Sequence, residues 1–171
     1  ENEKFQLRDL AYLTESYLRL RHHAQQVDDL RDALDREQRK AMLDPLTQLW
    51  NRAGLNHFLP KQLLQAEEQG LQLGVLFCDL DHFKPVNDTH GHAAGDQALW
   101  ETARRISAAV RPQDVVTRSG GEEFVVLLQV HDQQELLRIA SRILKAVNQK
   151  PITTDAAPLN LTISIGAAMG R

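Results

Sequence analysis

The chain has 171 residues, enough for one domain of ordinary size plus an appendage, and its 42% apolar content lies in the globular range. A formal net charge of −3, with both signs mixed, excludes a general electrostatic pull toward nucleic acid or an anionic membrane surface. The single cysteine, Cys78, excludes an intrachain disulfide and a cysteine zinc cluster.

Residues 5–42 contain neither Gly nor Pro, and apolar residues recur at alternating spacings of three and four: Leu10, Leu13, Tyr17, Leu20, Ala24 and Val27. The seam continues at Leu34 and Ala41, with Arg31 and Gln38 interrupting it. A long helix with one narrow apolar stripe cannot bury that stripe against itself. The spacing therefore predicts a coiled-coil stalk and a parallel homodimer, with a helix folded back on its own domain as the alternative. Asp44-Pro45 ends the pattern, because the residue before a proline is pushed out of helical geometry. A stalk over 1–43 and a second domain over 44–171 are expected. The chain opens on Glu1 in mid-pattern, as a piece of something longer would.

A helix is predicted over Arg52–Glu68, with Asn51 as its N-cap, Gly70 as its stop and Pro60 positioned to kink or divide it. Leu73–Leu80 is an apolar run of strand length. Gly95-Asp96 opens a third helix with Leu99, Ala103 and Ile106 on one face. Val115–Thr117 and Phe124–Val130 flank Gly120-Gly121, a hairpin signal. Asp132–Val147 is helical, with Leu136, Ile139, Ala140 and Ile143 at core spacing, and Leu161–Ala167 is the last strand. After the second helix the order is β-α-β-β-α-β. That order predicts an α+β, ferredoxin-like fold, a four-stranded antiparallel sheet with helices packed on one face.

Three constellations carry chemistry. At the end of the first strand, Asp79 and Asp81 share a face if the strand persists that far, and carboxylates there suit a hard cation such as Mg²⁺. In Gly120-Gly121-Glu122-Glu123-Phe124 the glycines permit positive φ at a tight turn and close approach of a ligand to the backbone. Two carboxylates beside a buried strand are costly unless something positive meets them. Between these segments lie Lys84, a mobile cation suited to phosphate, and Asn87 and Asp96, which together offer the donor and acceptors that the edge of guanine needs. His90 and His92 have the spacing of a metal pair but no third ligand, so a structural role is expected for them.

Four ordered segments resemble the GGDEF diguanylate cyclases: Asp44-Pro45-Leu46-Thr47-Gln48-Leu49-Trp50-Asn51-Arg52, Asp79 to Asp88, Gly91 to Asp96, and Gly120 to Phe124. A late Ser164-Ile165-Gly166 also fits. The resemblance runs from Asp44 to the C-terminus. It implies condensation of two GTP into cyclic di-GMP across a homodimer. It also implies that Asp79, the Leu80 carbonyl and Glu122 hold Mg²⁺, with Mn²⁺ as the alternative ion. Glu122, Glu123 and Lys84 would then serve catalysis, and Asn87, Asp96 and Lys84 would bind substrate. Arg111-Pro112-Gln113-Asp114 fits the family's RxxD site for inhibitory product, with Arg142 as a second arginine.

Two departures stand out. Ser119 replaces the usual bulky residue before the glycines. The chain also stops at Arg171, where the family continues into a phosphate-gripping helix, so the domain is expected to be truncated. The rivals are a non-catalytic GGDEF module that binds GTP or cyclic di-GMP as a sensor, and a structural dimerisation element. A cytoplasmic setting, no nucleic-acid partner and no direct membrane contact are expected, with anchoring of a longer parent left open.

Overall fold

A helix of 40 residues, α1 (Asn2–Ala41), precedes everything else in the chain. The computed structural model describes the backbone of residues 2–170 and the side chains of residues 15–170. Leu10 and Leu13 of the predicted seam lie outside the described side chains. The chain divides into two compact units, residues 1–41 and 42–171. Within the first unit, Tyr17, Leu20, Val27 and Leu34 are all exposed, so the apolar stripe has no cover from its own helix. Surface pairs such as Arg19 with Glu15 and Lys40 with Glu37 line the other faces. Such solvent-exposed pairs add little to stability. Among the described residues no helix is long and apolar enough to cross a membrane.

The second unit begins with a tight loop. Asn51 N–H donates to the Met42 carbonyl at 2.7 Å, and Asp44 N–H to the Leu49 carbonyl at 2.8 Å. Helix α2 (Arg52–Glu68) follows, with Asn51 Oδ1 accepting from Ala53 and Gly54 N–H, the predicted cap. Pro60 does not divide it. Helix α2 ends before Gly70, whose φ of 67° is left-handed.

Strands β1 (Gln72–Leu80), β2 (Val115–Arg118), β3 (Glu123–Val130) and β6 (Ile163–Gly170) form one sheet in the order β2-β3-β1-β6. Every neighbouring pair is antiparallel. Between β1 and β2 run α3 (Phe83–His90) and α4 (His92–Ala108). Between β3 and β6 run α5 (Gln133–Asn148) and a short hairpin of β4 (Ile152–Thr153) with β5 (Pro158–Leu159). This is the ferredoxin-like arrangement with one added helix and one added hairpin.

The expectation of helices on one face alone is corrected. Phe124, Val126, Leu128 and Val130 of β3 face α4 and α5, joined by Leu76, Cys78 and Leu80 of β1. Val125 and Leu127 face the other way, where Trp50, Leu55, Phe58 and Leu63 cover them from α2 and its approach. A strand with five consecutive apolar residues, Phe124 to Leu128, needs cover on both sides. Each of these side chains contributes roughly 1.5–3 kcal/mol by leaving water. Cys78 belongs to this core, and burial pushes its thiol up to about 12.

Two further corrections concern helices. Helix α4 opens at His92 rather than Gly95, and α3 occupies residues to which the sequence pattern assigns no element. Pro85 is the third residue of α3, where no intrahelical donor is required of it.

Candidate active site at the hairpin edge

Strand β2 ends at Arg118 and β3 starts at Glu123, and Ser119 N–H donates to the Glu123 carbonyl at 3.0 Å. Neither Gly120 nor Gly121 has positive φ, which corrects the reason expected for them. The turn is wider than a two-residue loop and does not need it. Gly120 instead makes room: a Cβ there would lie 2.6 Å from Glu123 Oε2. Gly121 borders open space, which keeps its backbone approachable.

Arg118 ties the hairpin down. Its Nε and Nη2 donate to the Gly121 carbonyl at 3.1 and 2.8 Å, and Nη1 pairs with Asp44 Oδ1 at 3.1 Å. Asp44 also accepts from Thr47 N–H and Oγ1 at 2.8 and 2.7 Å. Burial works against its charge, but the hydrogen bonds from Thr47 and Arg118 outweigh it and hold the carboxyl below its usual value.

Across the β1–β3 ladder Asp79 faces Glu123, so both side chains leave on one face. Leu80 N–H donates to the Glu122 carbonyl at 3.3 Å, placing Glu122 beside the end of β1. Among the described residues, none of Asp79, Glu122 and Glu123 has an ion pair or a side-chain hydrogen bond, and no three such side chains converge into a finished metal cage. All the donors are hard oxygens on adjacent strand ends, and none of them is held in an ion pair. That set fits a divalent ion of the Mg²⁺ type.

Asp81 does not share this role. Strand β1 ends at Leu80, and His82 turns the chain with φ 55°. Asp81 accepts from Ser164 Oγ at 2.6 Å and Thr162 Oγ1 at 2.5 Å, which hold its carboxyl below the usual range. It fixes the start of β6 instead.

Lys84 and Asn87 stand three residues apart on α3, anchored by buried Phe83. At Gly95 an added Cβ would collide with Asn87 Oδ1, so the missing side chain brings the Asn87 amide against the turn that carries Asp96. Asn87 and Asp96 are thus brought together, as are Asp79, Glu122 and Glu123. Members of the two groups line different clefts. Asp96 borders one of about 500 Å³ with Leu46 and Trp100, while Asp79 and Glu123 border one of about 430 Å³ with Arg52 and Ser119. His90 and His92 join no metal-binding group among the described residues.

Arg111 and Asp114 form a local turn, with Arg111 N–H donating to Asp114 Oδ2 at 2.7 Å. Arg111 Nη2 pairs with Glu135 Oε1 at 2.7 Å. Glu135 Oε2 also accepts from His131 N–H at 2.8 Å, which with Arg111 holds its carboxyl low. Arg142 Nε donates to the Ala109 carbonyl. Burial raises the Asp114 carboxyl despite the nearby arginines. The sequence reading missed Glu135 and Arg118. Asp132-x-x-Glu135 is a capping-box spacing that could have drawn attention to Glu135, and Asp132 Oδ1 does accept from Glu135 N–H. Nothing local points Arg118 toward Asp44.

The model of the family described as "Diguanylate cyclase, GGDEF domain" matches residues 41–171. A bifunctional diguanylate cyclase/cyclic di-GMP phosphodiesterase, MucR of Pseudomonas aeruginosa, is 40% identical over 75% of this chain and 19% of its own. Response regulator PleD of Caulobacter vibrioides is 41% identical over 82% of this chain and 32% of its own. The chain therefore spans about a fifth to a third of the length of these curated relatives. Among solved structures, the coiled coil and GGDEF domain of DgcB from Caulobacter crescentus, in complex with c-di-GMP, superposes with a TM-score of 0.76. It is 29% identical over 90% of this chain and 82% of that one. The GGDEF domain of PA1120 (TpbB or YfiN) from Pseudomonas aeruginosa gives a TM-score of 0.70 at 43% identity, covering 74% of each chain. With the hairpin edge, the sheet order and these likenesses in agreement, the chain belongs to the GGDEF domain family of diguanylate cyclases.

Proposed function

We propose that this chain condenses two GTP molecules into cyclic di-GMP with release of two pyrophosphates. In each half-reaction a ribose 3′-hydroxyl attacks the α-phosphate of the other GTP, the new P–O bond forming as the bond to pyrophosphate breaks. The observation that carries the reading is the facing pair Asp79 and Glu123, with Glu122 beside them and no protein cation among the three.

Asp79, the Leu80 carbonyl and Glu122 would hold Mg²⁺, or Mn²⁺ in its place. When bound, the ion supplies charge neutralisation on the phosphates and acidifies the attacking hydroxyl. Glu122 is the assigned acceptor of the hydroxyl proton, and Glu123 adds a second carboxylate beside Asp79. Lys84 meets the phosphates from the first turn of α3, and Asn87 and Asp96 hold the guanine edge.

One domain holds one GTP, so two must face each other. The exposed seam of α1, with Tyr17, Leu20, Val27 and Leu34, suits a second copy and raises the effective concentration of the opposing half-site. Product inhibition is assigned to Arg111, Asp114 and Arg142, since arginine grips phosphate and guanine through paired N–H groups. A cytoplasmic location follows from the supply of GTP.

Incubation of the chain with GTP and Mg²⁺, followed by chromatography, tests this. The wild type yields cyclic di-GMP and Glu122→Ala does not. Equal output from the two would remove the mechanism.

A further inference from the structure

Helix α4 places Trp100 one turn beyond Asp96, so the two residues share a helical face. Leu99 and Ile106 of the same helix are buried, whereas Trp100 is 50% exposed. It borders the 500 Å³ cleft that Asp96 also borders. A large aromatic side chain left half in water beside a ligand-reading carboxylate calls for an explanation that core packing does not give.

The charges of this cleft restrict what enters it. Arg105 is its basic residue, and four of its five N–H donors are already taken. Nε pairs with Glu101 Oε1 at 2.8 Å, Nη1 donates to the Val147 and Lys150 carbonyls, and Nη2 donates to the Pro151 carbonyl at 3.0 Å. Hydrogen bonds from Arg104 and Arg105 outweigh partial burial and hold Glu101 ionised down to about 2. Glu101 is thus held by both arginines, and Asp96 is the carboxylate of the cleft that no ion pair engages. An uncharged planar ring with N–H donors is favoured, with Leu46 and Pro151 supplying apolar contact.

We infer that Trp100 forms the stacking wall of the nucleobase subsite, packing its indole on the face of the base whose edge Asp96 holds. The inference rests on the assignment of Asp96 to guanine. Stacking on an aromatic side chain is tolerant of base identity, because every base presents a π face. Asp96 and Asn87 then select guanine, and Trp100 sets affinity.

The probe is α,β-methylene GTP, which cannot lose pyrophosphate, titrated into the full chain with Mg²⁺. Binding quenches tryptophan fluorescence in the wild type. Trp100→Phe binds within about threefold of wild type but loses the quench, because Trp50, packed on Phe58, is the remaining tryptophan. Trp100→Ala weakens binding about tenfold for the guanine and hypoxanthine nucleotides alike, by calorimetry. Wild-type affinity in Trp100→Ala, or a quench that survives in Trp100→Phe, overturns the inference. Asp96→Ala separates the two readings. If it loses affinity while Trp100→Ala does not, only the stacking wall fails. If it binds normally while Trp100→Ala does not, only the guanine assignment fails. No saturable binding by the wild type sinks both.

Discussion

The hairpin edge and the Arg111–Asp114 turn are both dense in charge, yet only the second neutralises itself. Asp79, Glu122 and Glu123 meet at adjacent strand ends, and among the described residues none of them is in an ion pair. Arg111, by contrast, is paired with Glu135 and its amide is bonded to Asp114, while Arg142 is committed to the Ala109 carbonyl. Carboxylates held together without a partner destabilise the fold slightly and favour an incoming cation. Arginines that already hold partners stabilise the fold, and a ligand must exchange for those partners before it gains anything. The same kind of side chain thus does opposite work in the two regions.

The largest expected effect is at the first region. Asp79→Ala removes a metal-directed carboxylate, and turnover falls about 10³-fold. Stability does not fall with it, because the change relieves repulsion within the acidic cluster. A thermal midpoint at or above the wild-type value checks this. A marked drop would mean that Asp79 is a folding residue, and the contrast between the regions would be lost.

At the second region the double variant Arg111→Ala, Asp114→Ala weakens cyclic di-GMP binding about 100-fold, since truncating hydrogen-bonded charges forfeits roughly 2–5 kcal/mol. Calorimetry with the product gives the answer directly. Unchanged affinity would sink the assignment of the inhibitory site.

A stability test lies on the border of the hairpin edge, where Asp44 and Arg118 do form a pair. Asp44→Asn destabilises the catalytic unit by about 2 kcal/mol at pH 7. Burial opposes the Asp44 charge, but Thr47 and Arg118 prevail and lower its folded pKa. Its contribution is therefore complete above the unfolded value of about 3.9 and is lost as pH falls through the lower folded value. Urea midpoints of variant and wild type should converge as pH falls below about 4. A gap that stays constant through that window would show that the carboxylate charge is not what matters.

What the sequence disclosed of all this follows physical range. The β3 run and the α5 stripe were readable because their apolar period is written in consecutive residues. Asn51 was readable as a cap because its partners lie two and three residues away. Helix α3 was not, since eight polar-rich residues containing Pro85 and followed by Gly91 carry the marks of a loop. Asp81 was misplaced because the end of β1 is set by Thr162 and Ser164, which lie about 80 residues downstream. Arg118 and Asp44, 74 residues apart, meet only once the sheet has formed. Of the candidate site residues, proximity of Asp79 to Glu123 required the β1–β3 register, which no local pattern states.

The smallest expected effect is the sharpest test of the contrast. Glu135→Gln keeps the size and most hydrogen bonding of the side chain, including its acceptance from His131 N–H, but removes the charge that holds Arg111. If Arg111 must leave Glu135 to grip the anionic product, removing that charge lowers the cost of exchange, and product affinity rises about fivefold. This is worth about 1 kcal/mol, the scale of a partly exposed ion pair. The Arg111 side chain is 47% exposed, which keeps the figure small. Product titrations of Glu135→Gln and wild type at one ionic strength read it out. Weaker binding in the variant would mean that Glu135 aims the guanidinium at the product rather than competing with it, and the self-neutralised region would then be preorganised instead of restrained.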